Sequence, residues 1–415
     1  MCGIAGAFGN KLIKKSDIFQ TLDLMKNRGP DFSDYYENKL KTKYVCLLHS
    51  RLSIIDLKNR SNQPFRINNY TISFNGEIYN YKELKKTLIE KKIKFKTNSD
   101  TEVLLWLYII HGEKCLNLLE GMWSFAIYNN ETNEMFLAKD RFGEKPLFYS
   151  YIEGEFVFGS EVKFIKSLSK KNYTINNNKI NDFLLYGYKH LAKDNSSFFK
   201  NIKSLTPGHY IKISTKKFEI KRYWKINTSI NYKISFNEAL EETKKLLFNA
   251  INLRLRSDVP ISFCLSGGVD SAILASYTVK KLGLKINTYS IIDSDHRYNE
   301  KNNIKKIVND LDCNNKLIHL DNKNFLQNLI SLIEYHEAPI ASIAQYLHSR
   351  LMKKISEDNF KVAISGAAAD EIFSGYYEHF LLHFYNIKKD KNKLKNDIAS
   401  WKKNIRSNVR NKYFK

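Results

Sequence analysis

Residues 261–271 read Ile261-Ser262-Phe263-Cys264-Leu265-Ser266-Gly267-Gly268-Val269-Asp270-Ser271. The first five form an apolar run of strand length, stopped by a serine and two glycines, with helix formers following from Asp270. A strand that breaks on paired glycines and turns into a helix makes a seat for an anion. Glycine lets the backbone approach phosphate, helix N–H groups and the helix dipole favour negative charge, and the serine hydroxyls add donors. Asp270 supplies a carboxylate of the kind that holds Mg2+ beside phosphate oxygens. The GK[ST] ending of a Walker A loop is absent.

Outward from this stretch the chain alternates. A helix is predicted over residues 236–255, then strands over 261–265 and 286–292. A helix over 299–311, a strand over 316–320, helices over 324–336 and 345–355, and a strand over 361–365 follow. Such alternation predicts an α/β domain with a parallel sheet, whose ligands sit at the carboxyl ends of the strands. The last strand runs into Ser365-Gly366-Ala367-Ala368-Ala369-Asp370. Asp270 and Asp370 thus each follow a strand end, where one Mg2+ can reach both.

The first 160 residues have a different rhythm. Short alternating apolar runs predict strands over 45–48, 70–74, 123–128, 134–138 and 156–159, with helices over 81–90 and 101–111. Ser99 or Asp100 can cap the second helix, and Glu102 suits its first turn. This is a strand-rich α+β domain. Pro207-Gly208 marks a turn before further polar strands.

Cys2 follows Met1 and precedes Gly3. With Met1 removed, Cys2 carries a thiol and a free α-amine, which can serve as the thiol's own general base. Further motifs follow in order: Arg28-Gly29-Pro30-Asp31, His49-Ser50-Arg51-Leu52-Ser53-Ile54-Ile55-Asp56, Gln63-Pro64 and Asn75-Gly76-Glu77-Ile78. Ser99-Asp100-Thr101-Glu102, Glu120-Gly121-Met122-Trp123 and Lys139-Asp140-Arg141-Phe142-Gly143 complete the set. Taken singly, Arg51 suits a surface ion pair, Asp100 a helix cap, and Asn75-Gly76 a hairpin turn.

Together these motifs resemble the class II, N-terminal-nucleophile glutamine amidotransferase domain, a strand-rich sandwich, over nearly all of residues 2–165. The resemblance implies that Cys2 attacks the side-chain amide of glutamine. It implies an oxyanion site at the Asn75 side chain and the Gly76 N–H. Glutamine binding falls to Arg51, Leu52, Ser53, Ile54, Ile55, Asn75, Gly76, Glu77 and Asp100, with Arg51 on the carboxylate and Asp100 on the ammonium. The Ser266–Ser271 stretch is similar to the SGGxDS loop of ATP-pyrophosphatases, and residues 365–376 resemble the asparagine-synthetase signature SGEGxDExFGGY. That implies ATP contacts at Leu265, Ser266, Gly267, Gly268, Asp270, Ser271, Ile291, Ser365 and Gly366, with Mg2+ on Asp270 and Asp370. It also places Glu337, Pro339 and Ala341 at the acceptor pocket.

Two departures stand out. The signature's glutamate and following glycine are Ala367 and Ala368. The ExRxPFLD segment and its lysine do not follow before Lys415, so a shortened second domain is expected. The expected domains are residues 2–210, glutaminase, and 235–415, synthetase. The expected reaction is ATP-dependent amidation of aspartate or another carboxylate, such as a surface-polysaccharide sugar, by ammonia from glutamine. A glutaminase carrying an inactive synthetase domain is the remaining alternative. A glucosamine-phosphate synthase would share the first domain but needs sugar-isomerase repeats in place of SGGVDS.

Composition narrows the classes further. Of 415 residues 43% are apolar and 13% aromatic, enough for sizeable cores. No apolar run reaches membrane-spanning length, and MCGIAGAFGN has no basic leader. Cys2, Cys46, Cys115, Cys264 and Cys313 are scattered, which predicts reduced thiols and a cytoplasmic protein. The net charge of +24 comes from lysine spread along the chain with many asparagines, so neither nucleic acid nor membrane is expected as partner. The concentrated exception is residues 388–415, with eleven Lys/Arg, two Asp and no Gly or Pro, which predicts a solvated basic helix. The partners expected are small molecules, with room for a homodimer.

Overall fold

The structure, a computed structural model, describes residues 1–406 and 409, apart from 41–42, 192, 231–232, 294, 296–297 and 320–322. The chain divides into two compact units. One is Met1–Val259 with Asn324–His348; the other is Pro260–Lys323 with Ser349–Lys415.

In chain order the elements begin β1 (Gly3–Gly9), α1 (Lys15–Met25), β2 (Phe32–Lys39), β3 (Tyr44–Arg51), β4 (Phe65–Ile67), β5 (Tyr70–Ile78), α2 (Tyr81–Glu90) and α3 (Asp100–His111). They continue as β6 (Gly121–Asn129), β7 (Glu134–Lys139), β8 (Phe148–Ile152), β9 (Glu155–Gly159), α4 (Val162–Ser169), α5 (Asn177–Tyr186), β10 (Lys203–Ser204), β11 (His209–Ile213), β12 (Phe218–Arg222) and α6 (Phe236–Arg254). Then come β13 (Ile261–Cys264), α7 (Val269–Ser276), β14 (Asn287–Ile292), α8 (Lys301–Leu311), β15 (Asn314–His319), α9 (Phe325–His336), α10 (Ile343–Glu357), β16 (Val362–Ile364), α11 (Ala369–Phe373), α12 (Tyr377–Asn386) and α13 (Lys391–Asn404).

In the first unit two six-stranded antiparallel sheets, β10-β8-β9-β1-β3-β2 and β12-β11-β7-β6-β5-β4, lie face to face. Ile4, Phe8, Val45 and Leu47 of one meet Ala126, Tyr128, Leu137 and Ile211 of the other. The outer face of the first sheet, with Ala5, Cys46 and Leu48, is covered by Ile18 and Leu22 of α1 and Phe164 of α4. The outer face of the second is covered by Leu88 of α2 and Val103 and Leu104 of α3, against Phe74 and Phe125. Both faces of β1 and β3 are therefore buried. That is why β1 and the Tyr44–Leu48 part of β3 carry small and apolar residues rather than an alternating pattern. The glycines of β1 are a packing requirement: a Cβ on Gly6 would lie 2.6 Å from the Phe158 ring.

The second unit holds a parallel sheet, β15-β14-β13-β16. Strand β13 sits between β14 and β16, with Phe263 opposite Thr288 and Ile364. Its buried apolar residues include Phe263, Leu265, Ala275, Tyr289, Ile292, Ile304 and Leu351. The chain is thus a strand-rich α+β sandwich followed by an α/β parallel-sheet unit, as expected from its motifs.

Two local expectations are corrected. Asn75-Gly76 is not a hairpin turn but lies within β5, where Asn75 faces Ser124 and Gly76 faces Trp123 across the ladder. The basic helix covers Lys391–Asn404, shorter than expected, and residues 410–415 of that prediction lie outside the described ones. Leu320, the predicted end of β15, also lies outside them.

Candidate functional site

Strand β1 starts beside the end of β3, with Gly3 paired to Ser50. Cys2 is therefore delivered to the point where β3 runs out into the loop after Arg51. The Cys2 Sγ accepts from the Leu52 N–H at 3.3 Å. A cleft here is lined by Cys2, Arg51, Leu52, Ile54, Ile55, Gly76, Glu77 and Asp100, together with Ser61, Gln63, Phe74, Ser99 and Thr101. Most of the residues singled out in the sequence for glutamine thus meet in one place.

Ser53 and Asn75 are not part of this lining, although their chain neighbours Leu52, Ile54, Phe74 and Gly76 are. The Ser53 N–H donates to Asp31 Oδ2 at 2.6 Å, which ties the loop after β3 to the Arg28–Asp31 motif. Asn75 is fully buried, and neither its Nδ2 nor its Oδ1 has a hydrogen-bond partner among the described residues. A buried amide without partners is costly unless something arrives to use it. At Gly76 a Cβ would collide with the Met122 carbonyl and come within 2.7 Å of Trp123 Cα, so only glycine fits this register.

Arg51 does not reach the cleft as an unengaged fork. Its Nη1 donates to Lys58 O at 3.1 Å and Asn62 Oδ1 at 2.8 Å, and its Nη2 to Ile55 O at 3.3 Å and Asp56 O at 2.5 Å. The guanidinium thereby shapes the 52–62 loop. Asp100 accepts from the Ile78 N–H at 2.9 Å, while Ser99, not Asp100, caps α3 through Glu102 N. Gln63 bridges Phe74 N and Thr101 Oγ1 at 2.7 and 3.2 Å. His49 is structural: burial pushes its pKa to about 3, and the neutral ring bonds Phe74 O at 3.0 Å, joining the two sheets.

The charges in the cleft are out of their usual ranges. Burial raises the Cys2 thiol; the chain's N-terminal ammonium and the Leu52 N–H work against it. Burial pushes Asp100 up to about 6, opposed by the Ile78 N–H. Glu77 is raised well above the usual carboxylate range by burial and then by Asp100. Perturbed groups of this kind gathered in one cleft are typical of catalytic sites.

In the second unit the loops after β13 and β16 lie side by side. A Cβ on Gly366 would sit 2.9 Å from Asp270 Cβ and 3.0 Å from Ser271 N. The loop after β13 is internally bonded. Ser266 N–H donates to Ser271 Oγ at 3.0 Å, Gly268 N–H to Ser266 Oγ at 3.1 Å, and Gly267 N–H to Glu300 Oε2 at 3.0 Å. Leu265 is buried and donates to Tyr289 O at 2.8 Å; Ile291 is half-buried on β14. Burial, then Asp370 and Glu371, raise the Asp270 carboxyl. Carboxylates that repel one another beside a phosphate-type loop fit the donor set Mg2+ takes, one or two carboxylates plus phosphate oxygens. Among the described residues no cluster of three or more His, Cys, Asp or Glu forms a protein-only metal cage. Glu337, expected at an acceptor pocket, pairs with Lys166 at 2.7 Å within the first unit.

Sequence reasoning passed over Glu300 and Lys145. Glu300 is called to the loop by a backbone N–H, for which no motif exists. Lys145 follows the Lys139–Gly143 motif by two residues.

Comparison with known proteins adds the following. Residues 1–224 match the family described as "Glutamine amidotransferase domain", and residues 242–413 the family described as "Asparagine synthase". A putative glutamine-hydrolysing asparagine synthetase 2 of Methanocaldococcus jannaschii is 31% identical over 408 residues, covering 91% of this chain and 76% of that protein. A glutamine-hydrolysing asparagine synthetase 3 of Bacillus subtilis is 30% identical over 91% of this chain and 63% of its own length. An amidase, chry2, of Gibberella zeae is 27% identical over 86% of this chain and 54% of its own. The chain therefore spans about half to three quarters of the length of these relatives.

Proposed function

We propose, from the premise that this chain belongs to the glutamine-hydrolysing asparagine synthetase family, that it releases ammonia from glutamine at Cys2 and uses it for ATP-dependent amidation of a carboxylate. The observation that carries the first half is the buried Asn75 amide, without a hydrogen-bond partner among the described residues, between Phe74 and Gly76 of the Cys2 cleft. The domains of this reading are residues 2–210, glutaminase, and 235–415, synthetase.

Met1 is removed, and the exposed α-amine of Cys2 takes the thiol proton. The thiolate attacks the glutamine side-chain amide. Negative charge on the amide oxygen is met by the Asn75 amide and the Gly76 N–H, and ammonia leaves as the thioester forms. Water then releases glutamate. Asp100 receives the substrate ammonium, and the loop shaped by Arg51 receives its carboxylate. That contact uses the Arg51 Nε–H or follows a rearrangement of the Nη bonds.

In the second domain Leu265, Ser266, Gly267, Gly268, Ser271, Ile291, Ser365 and Gly366 hold ATP, with Asp270 and Asp370 toward Mg2+. Held there, Mg2+ would supply positive charge against the pyrophosphate oxygens. The acceptor carboxylate takes AMP, pyrophosphate leaves, and ammonia displaces AMP to give the amide. Aspartate is the default acceptor. Ala367 and Ala368, where a carboxylate and a glycine are expected, favour a different carboxylate, and the relatives include proteins named amidases.

The test is modular. Wild type should convert glutamine to glutamate, and Cys2→Ala should lose this while keeping Mg·ATP binding by calorimetry. Loss of both by a folded Cys2→Ala variant would contradict the assignment of separate sites.

A further inference from the structure

Lys145 is a buried charge that the reaction above leaves unused. Its side chain is only 5% exposed. Its Nζ donates to Met1 Sδ at 3.2 Å, and among the described residues no other side-chain hydrogen bond or ion pair of Lys145 is formed. A thioether is a weak acceptor, so this ammonium is poorly satisfied where it stands. The placement is not accidental to a loose loop. The fully buried Asp140 accepts from the N–H groups of Phe142, Gly143, Glu144 and Lys145 at 3.0, 2.6, 3.0 and 2.9 Å. The loop that presents Lys145 is thus clamped from within.

We infer that Lys145 is a positioning residue of the glutamine-hydrolysing site, whose ammonium, held against the chain's N-terminus, favours the neutral α-amine and ionised thiol of Cys2 once Met1 is gone. This rests on the reading of Cys2 as nucleophile and adds a residue to it. Among the described residues the hydrogen-bond partner of the ammonium is the side chain of Met1, the residue that processing removes and that is bonded to Cys2, and Lys145 also interacts electrostatically with Cys2. A positive charge there disfavours a protonated amine and favours a thiolate. With Met1 in place, the Met1 amine is lowered to about 6, chiefly by burial, with Arg28 and Lys145 acting in the same sense and Cys2 and Glu77 against it.

The charged groups around the pair come from several elements. Arg28, beyond α1, acts in the same sense as Lys145. Burial lowers Lys145 itself, with Arg28 in the same sense, while Glu77 on β5, Glu144 on the same loop and an ionised Cys2 favour its ammonium; Glu77 also opposes Lys145 at the N-terminal amine. Arg51, at the end of β3, adds to the pull on the thiol. Lys145 is the member of this set that lies against Met1.

The test uses the full chain with Met1 shown absent by intact mass. The rate of Cys2 alkylation by iodoacetamide, and kcat/KM for glutamine hydrolysis, are followed against pH for wild type, Lys145→Met and Lys145→Arg. Lys145→Met should move the rising limb of both profiles upward by about one pH unit, and Lys145→Arg should restore most of that shift. A lower rate at every pH with an unmoved limb is the mark of a merely structural residue and overturns the inference. Were wild type unable to hydrolyse glutamine, the nucleophile reading would fail. The alkylation profile would still decide on Lys145, since an unmoved limb overturns its action on the thiol. If Lys145→Met does not fold, Lys145→Gln is read the same way.

Discussion

The Nε of Arg28 donates to the Cys2 carbonyl oxygen at 2.9 Å, while its Nη1 pairs with Glu161 at 2.9 Å. The backbone of the nucleophile is therefore fixed by a buried guanidinium rather than by the strand ladder, which begins only at Gly3. Arg28→Ala should lower kcat/KM for glutamine hydrolysis. It should also destabilise the first domain by about 1–2 kcal/mol, because the Cys2 carbonyl and Glu161 lose their Arg28 partner while Lys163 still holds Glu161 at 2.8 Å. Denaturant melts read beside kinetics check both. Unchanged stability and activity would show that the contact does no structural work.

Asn75→Ala separates catalysis from stability. The amide has no partner to lose among the described residues. Its removal should leave the melting temperature nearly unchanged, while kcat for glutamine hydrolysis falls about 100- to 1,000-fold with little change in KM. A large loss of stability with normal kcat would reverse the assignment.

Gly76→Ala should do the opposite in kind. A methyl at this point of β5 meets the Met122 carbonyl and Trp123 Cα across the ladder to β6. The cost should be about 1–3 kcal/mol or more in the first domain, with loss of glutaminase activity as the N–H shifts. A variant as stable as wild type, measured by urea unfolding, contradicts the close approach described here.

Asp100 predicts a pH dependence with a definite sign. Its carboxyl is raised from 3.8 to about 6, chiefly by burial. Between those values the folded state keeps a proton that the unfolded chain has released, so stability falls as pH rises through the window. Asp100→Asn should flatten that slope. Binding of the glutamine ammonium needs the ionised carboxylate, so KM for glutamine should rise as pH drops below about 6. A KM flat from pH 5 to 8 would remove Asp100 from the ammonium site.

How much of this was legible in the sequence follows from the range of the interactions. The Ser266–Ser271 loop between strand and helix and the parallel sheet of the second unit are local or topological, and both were readable; that β13 pairs directly with β16 came only with the structure. Strand β1 was not predicted: three glycines and two alanines in seven residues argue against a strand until a sheet with both faces buried demands small side chains. Asn75-Gly76 carries a strong local turn signal that the ladder to β6 overrides. Apart from the bond to Asn62 Oδ1, the ties of Arg51 go to backbone carbonyls of its own loop, which residue types do not encode. Lys145 acquires meaning only beside Met1, which folding brings to it across 144 positions.

The most direct test supplies glutamine labelled with 15N in the side-chain amide, Mg·ATP and candidate carboxylates, aspartate first, and follows products by mass spectrometry. The account predicts glutamate, AMP and pyrophosphate in step with a 15N-amide of one carboxylate, all label transfer vanishing in Cys2→Ala. Glutamate with free 15N-ammonia but no AMP, for every carboxylate offered, would contradict the amidation. Absence of glutamate from a folded, Met1-free chain would contradict the account at its root.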